Sequence, residues 1–467
     1  MLEPRVVHIP SVHVPPSSHS RSRPKQLEHP HNRWLCKISL PSNRSSHRDF
    51  MFKFDFALDD ADVDPELATE LASVQLGDAL PQEKHEEHEE PFREIPIAEL
   101  LGRLPDVISY SPLVVPVLAD MGTQNMIENE EKEQNYVTLA RRDLFDARFQ
   151  LIAQDPGSDP PTGAKPTNTD TDTDSTARAL AFVEAPSDLV SGVYEGGLKT
   201  WECALDLAGY LAGAANREMR GKRVLEVGCG TAVPTMYILR ELFSAPPPPL
   251  HGSSQAQTVT ELHIQDYNAS VLELVSFPNL ILTWYMSPAA ASFRAAHKPA
   301  PAANSTPAST SDHEHEHEHD YPTPDPSVPS ALPLTPALHT AFLASLAAHH
   351  IVLRIFAGSW GSFDPTLAAS RYDVVLTSET IYRKESMGAL LGLMRGAAGV
   401  GGVGRGDHVH VCLVAAKVLY FGVGGGVEEF VARVRGAGGE VERVWEVGVG
   451  VGRRIMRVHW GGGRGVV

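Results

Sequence analysis

The sequence predicts an α/β protein built on a doubly wound, mostly parallel sheet. From residue 179 to residue 460, short apolar runs that are typical of buried strands alternate with stretches of helical periodicity. Residues 223–237, RVLEVGCGTAVPTMY, indicate a strand, a tight glycine turn and a helix in direct succession. Residues 440–460 contain two strand-like runs joined by GVGVG, which predicts a closing hairpin.

The glycine turn, Gly228-Cys229-Gly230, has the character of a binding element. Glycine lets the backbone approach a ligand, and the helix that follows presents unpaired N–H groups. A dinucleotide fingerprint, G-x-G-x-x-G, would need a third glycine where Val233 stands. Glu226, two residues before the first glycine, suits a ligand with a cationic amino group, and S-adenosylmethionine is such a ligand. The alternative is a glycine turn that only joins a buried strand to a helix.

Polar and aromatic side chains follow the neighbouring strands. Asp266 ends the strand at 261–268, where an acid is placed to accept hydrogen bonds from ribose hydroxyls; capping the next helix is the alternative. Glu379 and Tyr382 follow the strand within 372–382, at the edge where open α/β sheets bind substrate. Trp201 begins a helix, and both core packing and ligand contact are open for it.

Composition predicts which parts of the chain fold. Residues 1–50 carry eight basic and three acidic residues, a net charge of +5, and read as disordered; a non-native extension before Met51 is one reading and a nuclear-targeting or RNA-contacting arm another. An N-terminal region at 51–154 precedes the main domain at 179–460. Low-complexity composition predicts disordered insertions at 155–178, 245–258 and 288–337 and a tail at 461–467.

Local patterns in the flanking region predict three further elements. Residues 92–104 suit a short helix, and residues 108–118, with two prolines, suit an extended segment. Residues 141–153 alternate apolar and polar side chains, which favours a strand. Residues 278–285 fit a strand or a helix equally.

Charge and cysteine content narrow the class of protein. The net charge of −18 disfavours a nucleic-acid binder and favours a basic partner. The four cysteines show no metal-ligand spacing, as in intracellular proteins with reduced thiols. No apolar run reaches transmembrane length, so we expect a soluble cytoplasmic or nuclear protein without a membrane partner. The run HEHEHEH at 313–319 has metal-ligating side chains, but we expect it to be solvated.

Five stretches resemble one family, the protein-histidine N-methyltransferases of the seven-stranded, S-adenosylmethionine-dependent class. These are GVYEGGLKTWEC (192–203), VLEVGCGTAVP (224–234) with IQDYN (264–268), VVLTSETIY (374–382), AAKVLYFGVGGGVEEF (415–430) and RRDLFDARFQ (141–150). The resemblance implies a class I, seven-stranded fold and S-adenosylmethionine as cofactor. It also implies methyl transfer to a histidine of a large-subunit ribosomal protein of the uL3 type, free or in a pre-ribosome.

The resemblance also assigns site residues. It implies that Glu379 and Tyr382 face the acceptor, that Trp360 lies beside the adenine, and that residues 278–285 continue a helix. Ser359 stands where such enzymes often carry an acid that binds the adenine amino group, so that contact is in question. The implied cofactor-binding set is Trp201, Glu226, Gly228, Cys229, Gly230, Asp266, Tyr267, Asn268, Trp360 and Ser378.

Two other functions keep the same motifs. A related protein-lysine methyltransferase would share the cofactor residues, and a non-catalytic cofactor-binding protein of ribosome assembly would share the fold. The SETIY motif and the intact glycine turn argue against the second.

Overall fold

The computed structural model describes most of the chain after residue 90. It covers residues 91–119, 135–154, 196–213, 218–248, 259–297, 320–365, 371–399, 410–420, 424–448 and 451–460. The chain divides into two compact units, Met1–Lys84 and His85–Val467, and all of the described residues belong to the second.

An eight-stranded sheet organises the described part of the chain. Its order is β1-β7-β5-β4-β8-β9-β11-β10, with a parallel centre from β7 to β9 and antiparallel strands at both edges. The strands are β1 (Arg93–Ile95), β4 (Arg223–Val227), β5 (Thr260–Asp266), β7 (Ile351–Ala357), β8 (Val374–Ser378), β9 (Val411–Lys417), β10 (Gly439–Val447) and β11 (Arg453–Trp460). The predicted doubly wound sheet is confirmed: seven strands have the expected arrangement, and β1 is added at one edge.

The central strands are buried on both faces, as their continuous apolar runs require. Within β4, Val224 packs in the apolar cluster on one face of the sheet and Leu225 in the cluster on the other. In β8, Val375 and Leu376 divide between the clusters in the same way. Strands β5 and β7, which follow β4 in the chain, lie on one side of it, and the later strands β8 and β9 lie on the other. The boundary between β4 and β8 is therefore the switch point where such folds bind ligands.

Helices cover both faces of the sheet. They are α1 (Ile97–Arg103), α2 (Leu144–Gln154), α3 (Glu202–Gly213), α4 (Val233–Ser244), α5, α6 (Ala291–Ala296), α7 (Pro336–Ala348), α8 (Lys384–Ala397) and α9 (Val427–Gly436). Helix α5 runs without a break through Ala269–Val271, a π-helical turn at Leu272–Ser276, and Phe277–Met286. Residues 278–285 are therefore helical, as the family resemblance implied. No described helix is long and apolar enough to span a bilayer.

A second, three-stranded sheet has the order β3-β2-β6, formed by Tyr136–Arg142, Val107–Pro116 and Ser330–Pro333. The predicted extended segment at 108–118 is confirmed as the central strand β2. Its two prolines are tolerated because β6 pairs only with Val107 to Tyr110, which leaves the strand beyond that point bonded on one side. The helix predicted at 92–104 begins only at Ile97, after the short strand β1.

The strand predicted at 141–153 is wrong. Strand β3 ends at Arg142, and helix α2 begins at Leu144. The alternating apolar residues do not share a buried face, since Ala147 is fully buried while Phe145 and Phe149 are exposed and contact each other one helical turn apart. In this short segment, alternating apolar residues did not distinguish the period of a strand from that of a helix.

The insertion predicted at 288–337 is wrong at both ends. Its first residues form a 3-10 turn, Pro288–Ala290, and helix α6, while its last residues form β6 and the start of α7. Phe293 and Leu332 are buried, so a few apolar side chains order a stretch whose composition is dominated by Ala, Pro, Ser and Thr.

The other predicted disordered segments lie mostly outside the described residues. These are 1–50, 155–178, 245–258 and 461–467, of which only 245–248 are described. The histidine–glutamate run falls within 298–319, which also lies outside the described residues.

Candidate cofactor and acceptor site

One pocket opens at the carboxyl ends of β4, β5, β7 and β8, at the switch point of the sheet. It encloses about 280 Å³, near the lower end of the range for small-molecule sites, roughly 300 Å³ upward. Eight of the ten predicted cofactor residues and both predicted acceptor-side residues line it. They are Trp201, Gly228, Cys229, Gly230, Asp266, Tyr267, Trp360, Ser378, Glu379 and Tyr382.

The glycine turn presents bare backbone to this pocket. Gly228 and Gly230 have φ angles of 60° and 51°, which an L side chain rarely adopts. A Cβ on Gly228 would lie 2.6 Å from Cγ2 of Thr380 and 3.5 Å from Cζ2 of Trp360. Both positions therefore require glycine, and the turn forms a cradle that a side chain would fill.

Asp266 supports the turn from the end of β5. Its Oδ2 accepts a hydrogen bond from the backbone N–H of Gly230 at 2.9 Å, and its Oδ1 accepts one from Asn268 N at 3.2 Å. The carboxylate also lines the pocket. It therefore fixes the turn and lines the pocket, and its second bond reaches the backbone of Asn268, the residue before α5 begins.

The sequence analysis did not predict a role for Gln265. A polar residue next to Asp266 in a buried strand was the one feature that could have indicated it. Its Oε1 accepts from Trp360 Nε1 at 2.8 Å and from Gly228 N at 3.3 Å, and its Nε2 donates to Gly358 O at 2.8 Å. One fully buried amide thus holds the indole of Trp360 against the glycine turn.

Glu226 does not line the pocket, which corrects its predicted position. Its Oε2 accepts from the N–H of Thr235 at 2.9 Å and from the Thr235 hydroxyl at 2.5 Å, at the start of α4. Burial raises the pKa of Glu226 to about 8, against the lowering effect of both Thr235 bonds. The acid bonds the start of α4 to β4, and its other oxygen, Oε1, is buried without a hydrogen bond to any described residue.

Asn268 is the second predicted cofactor residue that does not line the pocket. Its Nδ2 donates to the carbonyl of Gly196 at 3.1 Å, which fixes a neighbouring glycine segment whose residues Gly196 and Gly197 do line the pocket. Asn268 therefore supports a segment that lines the pocket without lining it itself.

Glu379 is held in an unusual backbone conformation at the end of β8. Its φ of 57° lies in the left-handed region, which non-glycine residues seldom occupy outside special sites. Oε2 accepts a hydrogen bond from the hydroxyl of Tyr420 at 2.6 Å. Oε1 is buried and makes no hydrogen bond within the described residues, and Lys417 Nζ lies 3.7 Å from it. One oxygen of the carboxylate is thus fixed by a hydrogen bond, and the other has the Lys417 ammonium as its charged neighbour.

Neighbouring groups set the charge around Glu379. Burial and the Glu379 carboxylate raise the pKa of Tyr420 well above its usual value, so its hydroxyl stays a donor. Burial, followed by the Glu379 carboxylate, likewise raises the pKa of Cys203 far above its usual range, which keeps that thiol neutral. Lys417 lies 3.1 Å from Glu202 and over the ring of Trp201, with Nζ 4.5 Å from its centroid.

The glycine-rich segment after β9 closes this side of the pocket. Gly425 N donates to Tyr382 O at 2.9 Å, and a Cβ on Gly425 would lie 2.3 Å from the Tyr382 carbonyl carbon. The rings of Tyr382 and Tyr420 lie 6.4 Å apart. The sequence motifs at 374–382 and 415–430 are therefore two parts of one wall.

Twelve further residues line the pocket, and the sequence assigned a ligand contact to none of them. Some lie inside the recognised motifs, others follow those motifs or begin α8, and the contact of Ser359 was left in question. They are Gly196, Gly197, Lys199, Ala204, Thr231, Ser359, Thr380, Arg383, Glu385, Ser386, Ala389 and Tyr420. Across the described ranges, no group of three or more His, Cys, Asp or Glu is placed to hold a metal ion.

Comparison with known proteins finds relatives over most of the chain, although no family model matches it. Histidine protein methyltransferase 1 of Saccharomyces cerevisiae is 28% identical over 70% of this chain and 78% of its own length. The protein of the same name from Schizosaccharomyces pombe is 28% identical over 64% of this chain and 69% of its own. A homolog from Bos taurus is 31% identical over 52% of this chain and 49% of its own.

Two solved structures of methyltransferases match this chain at low similarity. An rRNA methyltransferase from Streptomyces viridochromogenes is 15% identical with a TM-score of 0.30, covering 56% of this chain and 86% of that one. A magnesium protoporphyrin IX methyltransferase from Synechocystis is 9% identical with a TM-score of 0.28, covering 68% of this chain and 94% of that one.

A parallel sheet wound in this order, with a glycine cradle at its switch point, is the fold of the class I S-adenosylmethionine-dependent methyltransferases, and the chain is an enzyme of this class. Within the class it is related to the histidine protein methyltransferases. The family resemblance in the sequence motifs is therefore confirmed.

Proposed function

We propose that this enzyme transfers a methyl group from S-adenosylmethionine to an imidazole nitrogen of a histidine in a protein substrate. We further propose that the substrate is a large-subunit ribosomal protein of the uL3 type. The names of three relatives support the first part. The motifs at 374–382 and 415–430, which resemble that family, support the second.

The observation that carries the proposal is Oε1 of Glu379, which is buried, makes no hydrogen bond within the described residues and has Lys417 Nζ 3.7 Å away. A buried carboxylate oxygen without a hydrogen bond is costly, so a binding partner is expected for it. In this pocket the partner is the acceptor, and a neutral imidazole offers one N–H to bind while its other nitrogen attacks. A lysine side chain has a single nitrogen, so it has no second nitrogen that Glu379 could hold while the first one attacks.

The residues divide the work of the reaction. Bound S-adenosylmethionine supplies a methyl group already activated by the positive sulfur, so the protein mainly aligns the acceptor with it. The glycine turn and Asp266 would hold the cofactor, and Trp360 would lie beside its adenine. Glu379 would fix the imidazole tautomer and stabilise the positive charge that develops on the ring.

Charge also supports a basic partner. The chain has a net charge of −18, and ribosomal proteins are generally basic, so the two would attract each other in solution. Because such a substrate would be met in the cytoplasm or the nucleus, we expect the enzyme in one or both of these compartments.

The test is a transfer assay with labelled S-adenosylmethionine and a mixture of large-subunit ribosomal proteins. We expect one labelled band of the uL3 type, and amino-acid analysis of that band should yield methylhistidine. Methyllysine in the band would instead identify a lysine methyltransferase. Cofactor binding without transfer to any protein would support a non-catalytic role.

A further inference from the structure

The helix behind the glycine turn is irregular at the point where it meets that turn. The π-helical turn of α5 spans Leu272–Ser276 and is followed by Phe277 and Pro278. Such turns are rare and occur often at functional sites. Pro278 has no N–H, so it cannot donate to the carbonyl of Leu274 as an α-helix would require. A donor from outside the helix reaches that carbonyl, as described below.

Ser276, the last residue of the π-helical turn, holds the second glycine. Its hydroxyl lies 2.6 Å from the carbonyl of Gly230 and 3.2 Å from the carbonyl of Val271. The shorter contact is the one to the glycine turn. Because Ser276 is fully buried, water does not compete for this bond.

Asn279, one turn further along α5, connects Thr231, the residue directly after the glycine turn, to strand β3. Its Nδ2 donates to the carbonyl of Thr231 at 3.0 Å, and its Oδ1 accepts from the backbone N–H of Arg142 at 2.8 Å. The second bond fixes the orientation of the amide, because a flipped amide would place its NH₂ group against that N–H. Asn279 is also fully buried.

Arg142 supplies the outside donor. Its Nη1 donates to Leu274 O at 2.8 Å and to Gln150 Oε1 at 2.8 Å, while its Nε donates to Asp146 Oδ2 at 2.8 Å. The guanidinium is only 2% exposed and is fixed by α2 on one side and by α5 on the other. It therefore ties the N-terminal sheet to the π-helical turn.

A second connection begins at the preceding residue of β3. Arg141 Nη1 donates to the hydroxyl of Thr200 at 3.2 Å, and that hydroxyl lies 3.0 Å from the hydroxyl of Thr231. Two consecutive residues of one strand thus reach the same turn along different routes. Neither route passes through a residue of the Rossmann-like sheet.

We propose that the N-terminal sheet is part of the cofactor site, because β3 holds the glycine turn in its binding conformation through Asn279, Ser276 and Arg142. The left-handed backbone at Gly228 and Gly230 loses much entropy when it is fixed. A turn that is already fixed in the free enzyme does not lose that entropy when the cofactor binds, so affinity is higher. This role goes beyond methyl transfer and does not depend on which side chain accepts the methyl group.

The test measures binding of S-adenosylhomocysteine by calorimetry on the full chain, alongside a melting curve. Ser276→Ala removes one donor to the turn and should weaken binding about threefold to tenfold, the range for one hydrogen bond. Asn279→Asp keeps the acceptor for Arg142 but sets a carboxylate against the Thr231 carbonyl, so the loss should be larger. Ser287→Ala is the matched control, since this buried hydroxyl of the same region bonds only Trp284 O, at 2.7 Å.

Arg142→Met tests the role of the N-terminal sheet, since its side chain does not touch the glycine turn. We expect at least a threefold loss of affinity. If that variant does not fold, Arg142→Lys keeps the charge but cannot make all three bonds, and it should show the same loss. Binding by all variants within twofold of Ser287→Ala would overturn the proposal. So would a loss confined to Ser276→Ala and Asn279→Asp, because α5 alone would then hold the turn.

Discussion

Asp266 serves the cofactor site in two ways, because it lines the pocket and also accepts from Gly230 N. Asp266→Ala should therefore weaken cofactor binding by tenfold or more, with loss of charge-assisted hydrogen bonds to the ribose and of the support for the turn. Calorimetry with S-adenosylhomocysteine measures the change.

The control for Asp266 is Asp373→Ala. Asp373 Oδ2 also accepts from a backbone N–H, that of Arg223 at 2.8 Å. Asp373 directly precedes β8, so it lies at the amino ends of the central strands, away from the pocket at their carboxyl ends. Its replacement should lower the melting temperature and leave cofactor affinity within twofold. Equal affinity losses in both variants would mean that Asp266 acts only through the fold.

Tyr420 positions Glu379 without being predicted to contact the cofactor. Tyr420→Phe removes the 2.6 Å bond to Glu379 Oε2, so the carboxylate should turn more freely and kcat should fall about tenfold. Cofactor affinity should stay the same. The matched variant is Tyr372→Phe, which loses a buried hydroxyl contact to His263 Nδ1 at 2.7 Å but lies away from the pocket; its kcat should not change.

At the level of elements, the junction of β4 and α4 makes stability depend on pH through Glu226. Its folded pKa of about 8 lies above the unfolded value near 4.5, so its contribution is complete below about pH 4.5 and is lost as pH rises toward 8. Glu226→Gln removes this titration. The free energy of unfolding of the wild type relative to the variant should fall by at most about 1.4 kcal/mol per pH unit across that window.

Urea unfolding of both proteins at several pH values from 5 to 8.5 measures the Glu226 effect. Because other groups titrate equally in both proteins, the difference isolates Glu226. A difference that does not change with pH would show that the carboxyl is ionised in the folded protein throughout.

The segment at 298–319 joins two elements that are already close. The rings of His297 and Tyr321, at its two ends, lie 5.5 Å apart, so a short linker would span the gap. Replacing 298–319 with a short Gly-Ser linker should leave cofactor affinity and melting temperature nearly unchanged, because loop length has a small effect on stability. Leu332→Asp, in the ordered part of the same stretch, should instead destabilise the fold markedly.

Elements were predictable where periodicity was long and strongly apolar. The central strands β4, β5 and β8 and the glycine turn followed directly from the sequence. Helix α2 did not, since Phe145 and Phe149 remain exposed and Ala147 is the one buried apolar side chain among residues 144–150, so no amphipathic pattern marked it. Strand β6 could not be predicted from its low-complexity stretch. It forms by pairing with β2, which lies more than 200 positions earlier in the sequence.

For the molecule as a whole, the strand ends that converge on the pocket could be predicted, while the bonds that support them could not. Glu379 followed from its position after β8, and Trp360 from the family resemblance. Gln265, Asn279 and Tyr420 are ordinary polar residues in the sequence, and only the fold brings them to the glycine turn and to Glu379. Glu226 shows the reverse case, since a motif position predicted a ligand contact and the side chain instead caps a buried junction.

The most direct test of the acceptor assignment compares turnover and cofactor binding in Glu379→Gln. Imidazole alkylation creates a ring cation, and the carboxylate stabilises it more than it stabilises the neutral substrate. Glutamine keeps the size but removes the charge, so kcat should fall by about tenfold to a thousandfold while affinity for S-adenosylhomocysteine stays within twofold. The control is Glu428→Gln, an exposed glutamate of α9 that does not line the pocket, and it should change neither quantity. Unchanged turnover in Glu379→Gln, or a collapse of cofactor affinity, would contradict the role of this carboxylate in holding the acceptor histidine.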